Sequence, residues 1–114
     1  MTFQLEPGRL IEAATVELEH EPLPAEQIVS GSPTTGILVL EDRDGRELGV
    51  WEMTPGVATD VETDEVFIVL AGRATVEGVA AEPLELTAGA VVRLTEGMRT
   101  TWSVHETLRK VYLV

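Results

Sequence analysis

Cysteine is absent from this chain of 114 residues. Disulfides, thiolate metal sites and thiol nucleophiles are therefore excluded, and the composition fits a reducing cytoplasm, which is the location that we predict. Long apolar runs are absent too, so no membrane-spanning segment is expected. The first residues, Met1 to Pro7, lack the basic start and the apolar core of a signal peptide.

Basic residues are scarce. Eight Lys and Arg stand against twenty Asp and Glu, which gives a formal net charge of −12. Such a field repels phosphate backbones and anionic lipid surfaces, so we predict neither a nucleic acid nor a membrane as partner. The acidic excess has two interpretations, which are solubility and the attraction of a cationic ligand or metal.

Aromatic residues are also few, so the strand around Phe67 is informative. Val66 to Leu70 form an apolar run typical of a strand that is buried on both faces. Glu65 opens this run, and strand alternation places it on the face of Phe67 and Val69. A carboxylate inside a barrel is costly unless it is paired, hydrogen-bonded or bound to a cation. Glu65 is therefore the best pointer to a functional site.

The chain predicts an all-β fold. From residue 36 onward, eight or nine short apolar or alternating segments are separated by Gly, Pro and Asp turn signals, the pattern of a sandwich or barrel. Residues 1–35 are predicted to form an N-terminal arm that packs on the barrel or on a partner, and residues 36–114 the barrel itself. Within the arm, residues 14–19 are predicted to be a short strand or extended, and Pro24 to Gln27 a single helical turn.

Motifs in residues 36–114 resemble those of the small cupins related to ureidoglycine aminohydrolase and to the ethanolamine-utilisation cupins. The resemblance is carried, in order, by Gly49-Val50-Trp51-Glu52-Met53-Thr54-Pro55-Gly56, by Asp64-Glu65-Val66-Phe67-Ile68-Val69-Leu70-Ala71-Gly72, by Ala88-Gly89 and by Glu96-Gly97. It implies a cupin double-stranded β-helix, that is, a jelly-roll barrel, which is usually a homodimer.

The same resemblance implies a divalent metal held by histidines and one glutamate. Glu65 takes the glutamate position and Thr100 a histidine position, whereas residues 58–61 contain no histidine. We therefore predict no resident metal or other cofactor. The alternative is a divalent ion such as Mn on Asp60 and Glu65, together with Glu62 or Asp64.

The candidate ligand-binding residues are Trp51, Glu65, Arg93, Thr100 and Trp102. The tryptophans either line a small-molecule pocket or fill the core. Arg93 either pairs with Glu65 or lies on the surface. The resemblance assigns the neighbouring basic residues Arg109 and Lys110 a structural or interface role.

Three functions remain open. The first is a cupin with a degenerate metal site that binds a small polar or nitrogen-containing molecule without catalysis. The second is a metal-dependent enzyme resembling ureidoglycine aminohydrolase, with Glu65 as ligand or base. The third is an accessory or regulatory domain that acts as a homodimer.

Overall fold

The computed structural model describes residues 4–114, and these residues form one antiparallel sheet. The all-β prediction is confirmed. Met1 to Phe3, which begin the predicted arm, lie outside the described residues. A single 3₁₀ turn, Ala25–Gln27, confirms the predicted helical turn. The strands are β1 His20–Pro22, β2 Ile28–Ser30, β3 Thr34–Arg43, β4 Arg46–Met53, β5 Gly56–Val61, β6 Glu65–Glu77, β7 Leu84–Leu86, β8 Val91–Leu94 and β9 Arg99–Leu113.

Two long strands, β6 and β9, form the spine of the molecule. The two strands pair with each other along most of their length. The other edge of β9 is shared, because its first half pairs with β5 and its second half with β4. Strands β7 and β8 pair with β6. The strands thus curl around a common interior, and β9, which pairs with β4, β5 and β6, is the strand that joins the two halves of the sheet.

Gly72 is one of the Gly turn signals of the sequence, yet β6 runs through it, and β9 likewise continues through residue 105. The pairing of these strands is irregular between Val69 and Ala74, which lets both bend without ending. Gly72 lies in this segment with φ +94°, and a methyl group there would overlap the carbonyl oxygen of Thr107 in β9. Glycine is therefore required at this contact between the two strands.

The β3–β4 hairpin confirms another turn prediction. Asp44 and Gly45 connect the two strands with φ values of +55° and +73°. Two consecutive positive φ values are those of a type I′ turn, whose twist matches that of the flanking strands.

Alternating side chains of these strands build the main core. The fully buried members include Phe67, Val69, Val76, Leu86, Leu94 and Leu108. A second, smaller cluster joins Leu18 of the N-terminal arm to Leu40 and Val50. Within residues 4–114 no helix is long and apolar enough to cross a bilayer.

The N-terminal arm contributes to the sheet, since β1 pairs with β3 and β2 with β5. Residues 14–19 do not form a strand: residues 13–15 form a turn in which the Thr15 and Val16 N–H groups donate to the Glu12 carbonyl oxygen, and no regular element follows before β1. One reason is that Arg109 donates hydrogen bonds to the carbonyl oxygens of Ala13 and Val16, at 3.0 and 2.7 Å. The packing of the arm on a partner stays a prediction.

Candidate functional site

A cavity of about 280 Å³ opens at one end of the barrel. Its walls come from β3, β4, β5, the start of β6, β9 and the segment that precedes β2. The lining includes apolar surface from Leu23, Ile37, Trp51, Met53, Ala58 and Trp102, and polar groups from Glu47, Asp60, Glu62, Glu65, Lys110 and Tyr112. Apolar walls with a few converging polar groups are typical of small-molecule sites.

Lys110 projects into the centre of this site. It lies in β9, directly opposite Trp51 of β4, and its ammonium donates a hydrogen bond of 2.7 Å to Glu65 Oε2. The two side chains are only 7% and 13% exposed. The Lys110 Nζ also lies 4.6, 4.3 and 5.0 Å from the ring centres of Trp51, Phe67 and Trp102. Three aromatic faces and one carboxylate thus surround a cation that the chain itself supplies.

Glu62 forms a second buried cluster. Its Oε2 accepts hydrogen bonds from the Thr100 hydroxyl at 2.6 Å and from Trp102 Nε1 at 3.0 Å. The residue is 7% exposed, yet it still borders the cavity. No residue within 4–114 donates a hydrogen bond to its other oxygen, Oε1. Oε2 of Glu62 is therefore held by two donors, whereas Oε1 can still accept a hydrogen bond.

The remaining polar groups differ in their partners. The Tyr112 hydroxyl donates to Glu47 Oε2 at 2.7 Å, and burial followed by this contact raises the pKa of Tyr112 well above its usual range. Asp60 accepts a hydrogen bond only from the backbone N–H of Val61, at 2.8 Å, among the described donors. Burial, and then the negative charge of Glu62, raise the pKa of Asp60 above its ordinary value of 3.8.

The predicted ligand-binding residues are brought together in part. Trp51, Glu65 and Trp102 line the cavity, and the two tryptophan rings are 5.9 Å apart. Thr100 is buried behind them and contacts Glu62 and Trp102. Arg93 is different, because it is exposed and pairs with Val66 on the outer face of the sheet. The suggested Arg93–Glu65 pair is therefore wrong, and Lys110 takes that place.

Three contributors to the site were missed or undervalued. Lys110 was assigned a structural or interface role, Glu62 was named only as a secondary oxygen ligand, and Tyr112 was not considered. The signal for Lys110 is the alternation Leu108, Lys110, Tyr112, in which every second residue is buried. A lysine flanked in this way by apolar and aromatic residues faces the interior of a barrel.

The side chains around Glu65 are an unsuitable set of ligands for the divalent metal considered as an alternative. Among residues 4–114 no three His, Asp or Glu side chains are grouped so that they could share an ion. His20 contacts Thr34 and His105 contacts Thr75, both outside the cavity. The carboxylate at the expected ligand position, Glu65, is bound by an ammonium group.

The fold and these motifs define the class of the protein. Residues 40–112 match the model of the EutQ-like cupin domain. The match covers more than half of the chain, which therefore belongs to the EutQ-like cupin family. No curated protein matches the chain significantly.

Solved structures agree with this fold. A protein of unknown function from Pseudomonas syringae pv. tomato superimposes with a TM-score of 0.75 at 20% identity, over 88% of this chain and 45% of that one. The chain thus spans less than half of the Pseudomonas protein. The EutQ protein of Clostridium difficile gives a TM-score of 0.68 at 16% identity, over 91% and 83%. A cupin superfamily protein from Desulfitobacterium hafniense gives 0.65 at 11% identity, over 96% and 93%.

Proposed function

We propose that this cupin binds a small organic molecule in the cavity between Trp51 and Trp102, without a metal and without catalysis. The observation that carries the proposal is the Lys110–Glu65 pair. This pair places a protein ammonium beside the carboxylate that the family resemblance assigns to a metal. The aromatic walls and the open mouth leave room for a ligand above the pair.

The aminohydrolase alternative has weaker support. Ureidoglycine aminohydrolase chemistry, as the resemblance implies it, needs a manganese site with several histidine ligands. The cavity offers carboxylates that already accept hydrogen bonds from Lys110, Thr100, Trp102 and Tyr112. Oε2 of Glu65 in particular is already occupied by the Lys110 ammonium, at 2.7 Å.

Elemental mass spectrometry and ligand binding together test the proposal. Untagged protein, purified without chelator, should contain far less than one equivalent of Mn, Fe, Ni or Zn. In a small-molecule panel, at least one compound should change tryptophan emission saturably. Ala58→Leu, which places a larger side chain in the cavity, should abolish this change, and Ala80→Leu on the surface should not. A stoichiometric metal that is lost in Glu65→Ala would overturn the proposal.

We also propose that two copies associate through the outer face of β6 and β8. Val66, Ile68 and Val91 are 36%, 44% and 63% exposed there, and the neighbouring charge is Arg93 rather than a carboxylate. Two copies, each with a net charge of −12, should repel each other least if they meet through this face of β6 and β8, where the neighbouring charge is basic, in a twofold-symmetric dimer. Light scattering should give a dimer, and Ile68→Glu should give a monomer. The cytoplasmic location stays a prediction.

A further inference from the structure

We propose that the ligand of the cavity is a small organic cation, a primary ammonium or a guanidinium, held between the carboxylates of Asp60 and Glu62. This inference rests on the proposed function and specifies the chemistry of its ligand. It arises from the balance of charges in the cavity, in which four carboxylates and one ammonium meet.

Three of the four carboxylates have side-chain donors. Glu47 accepts from Tyr112, and Glu65 accepts from Lys110. Glu62 accepts from Thr100 and Trp102, but through Oε2 alone. Asp60 has no side-chain donor among the residues that the structure describes. The carboxylate pair of Asp60 and Glu62 is therefore the part of the cavity where no cationic side chain of the described residues donates a hydrogen bond to the negative charge, although the Lys110 charge acts on Asp60.

The position of the pair argues for a ligand rather than for a packing defect. Ala58 and Asp60 of β5 and Glu62, which follows the strand, alternate with their neighbours and all border the cavity; Ala58 and Glu62 are buried, and Asp60 is exposed. Glu62 is more than nine-tenths buried as a residue, but its Oε1, which accepts no hydrogen bond, is still accessible to solvent, and the residue borders the cavity. An accessible carboxylate oxygen at the wall of a cavity can bind a charged donor that enters from the cavity.

Lys110 cannot supply that donor. Its ammonium is held at 2.7 Å by Glu65 and enclosed by the rings of Trp51, Phe67 and Trp102. A mobile ion such as Na⁺ would neutralise the pair, but it would make no use of the apolar walls. An organic cation uses both features, because its charged end can bind the carboxylates while its hydrocarbon part packs on Trp51 and Leu23.

The test compares n-butylammonium and n-butylguanidinium with 1-butanol and butyrate at constant ionic strength. Binding is measured by tryptophan emission and confirmed by calorimetry with untagged full-length protein. We expect the two cations to bind saturably and the alcohol and the carboxylate to bind at least about tenfold more weakly. Asp60→Asn and Glu62→Gln should each weaken cation binding by about tenfold or more. The matched control is Asp44→Asn, which removes a charge from the exposed β3–β4 turn and should leave the affinity unchanged.

The outcomes separate this proposal from the one on which it rests. If 1-butanol or another neutral compound binds as well as the cations, or if Asp60→Asn leaves cation affinity intact, the cation proposal is overturned and the binding function stands. If nothing in the panel binds, both are overturned. Since Glu62→Gln keeps an acceptor for Thr100 and Trp102, a folded variant is expected, and Asp60→Asn provides the test if it fails to fold.

Discussion

Replacing Lys110 by Met should destabilise the protein by roughly 3 kcal/mol at pH 7. Methionine keeps most of the hydrocarbon stem, so the change removes mainly the charge. Lys110 and Glu65 are 7% and 13% exposed, so the carboxylate that remains is largely buried and unpaired. Removal of one partner of a buried ion pair typically costs about 3–5 kcal/mol, and we expect the lower end because Glu65 is 13% exposed and borders a cavity that water can enter.

Urea unfolding followed by tryptophan emission measures this cost. The control is Arg93→Met, which removes a long basic side chain from the exposed outer face and should cost about 0.5 kcal/mol or less. Glu65→Gln and the double variant complete a thermodynamic cycle. The double variant should be more stable than the sum of the two single changes predicts, because it leaves no unpaired charge.

Two results would refute this reasoning. One is a cost for Lys110→Met that equals the cost for Arg93→Met, which would mean that the ammonium is solvated rather than held in the aromatic site. The other is additivity of the Lys110 and Glu65 changes, since residues in direct contact are expected to couple by about 0.5–3 kcal/mol.

Three further measurements test Asp60, Gly72 of β6, and Arg109, which contacts the N-terminal arm. Because the folded state holds the Asp60 proton more tightly than the unfolded state, this group's contribution to stability falls as pH rises above 3.8. Asp60→Asn should therefore stabilise the unliganded protein at pH 7, and a gain in urea midpoint that does not shrink in acid would contradict this. Gly72→Ala should lower the urea midpoint more than Gly89→Ala, since both have positive φ but only Gly72 faces a backbone carbonyl; equal midpoints would show that this overlap is relieved. Arg109→Met should accelerate amide exchange in the N-terminal arm, whereas Arg73→Met, on the exposed surface, should not; equal exchange in both would refute the anchoring role.

The fold could be predicted from the sequence because its strands carry local signals. The run Val66 to Leu70 and the Asp44-Gly45 turn specify a buried strand and a tight hairpin without reference to the rest of the chain. The lengths of β6 and β9 could not be predicted in this way. Gly72 has the composition of a turn, yet the structure uses its positive φ inside a bent, continuous strand, and only the proximity of β9 decides between the two.

The site could be predicted only where a residue's own strand fixed its direction. Glu65 borders the cavity, as strand alternation predicts, and Trp51 and Trp102 line it, which is one of the two interpretations that the sequence left open. The partner of Glu65 is Lys110, 45 positions away, and local patterns cannot distinguish it from Arg93. Arg93 and Glu65 lie on paired strands, but on opposite faces, and this difference of one residue in register reverses the assignment.

The charges around the cavity suggest that folding and function make opposite demands on this site. Glu52 with Arg109, Glu65 with Lys110, and Glu47 with Tyr112 each combine a partly or largely buried carboxylate with a donor, as a stable interior requires. The carboxylate pair differs from these, because Asp60 has no side-chain donor among the described residues and one oxygen of Glu62 accepts no hydrogen bond. A packed core gains nothing from such an arrangement, whereas a cation-binding site requires it before the ligand arrives. Asp60→Asn is therefore expected both to stabilise the unliganded protein and to weaken cation binding, because both effects come from removing the same negative charge. If only one of the two effects were observed, the electrostatic cost of Asp60 would not be linked to ligand binding.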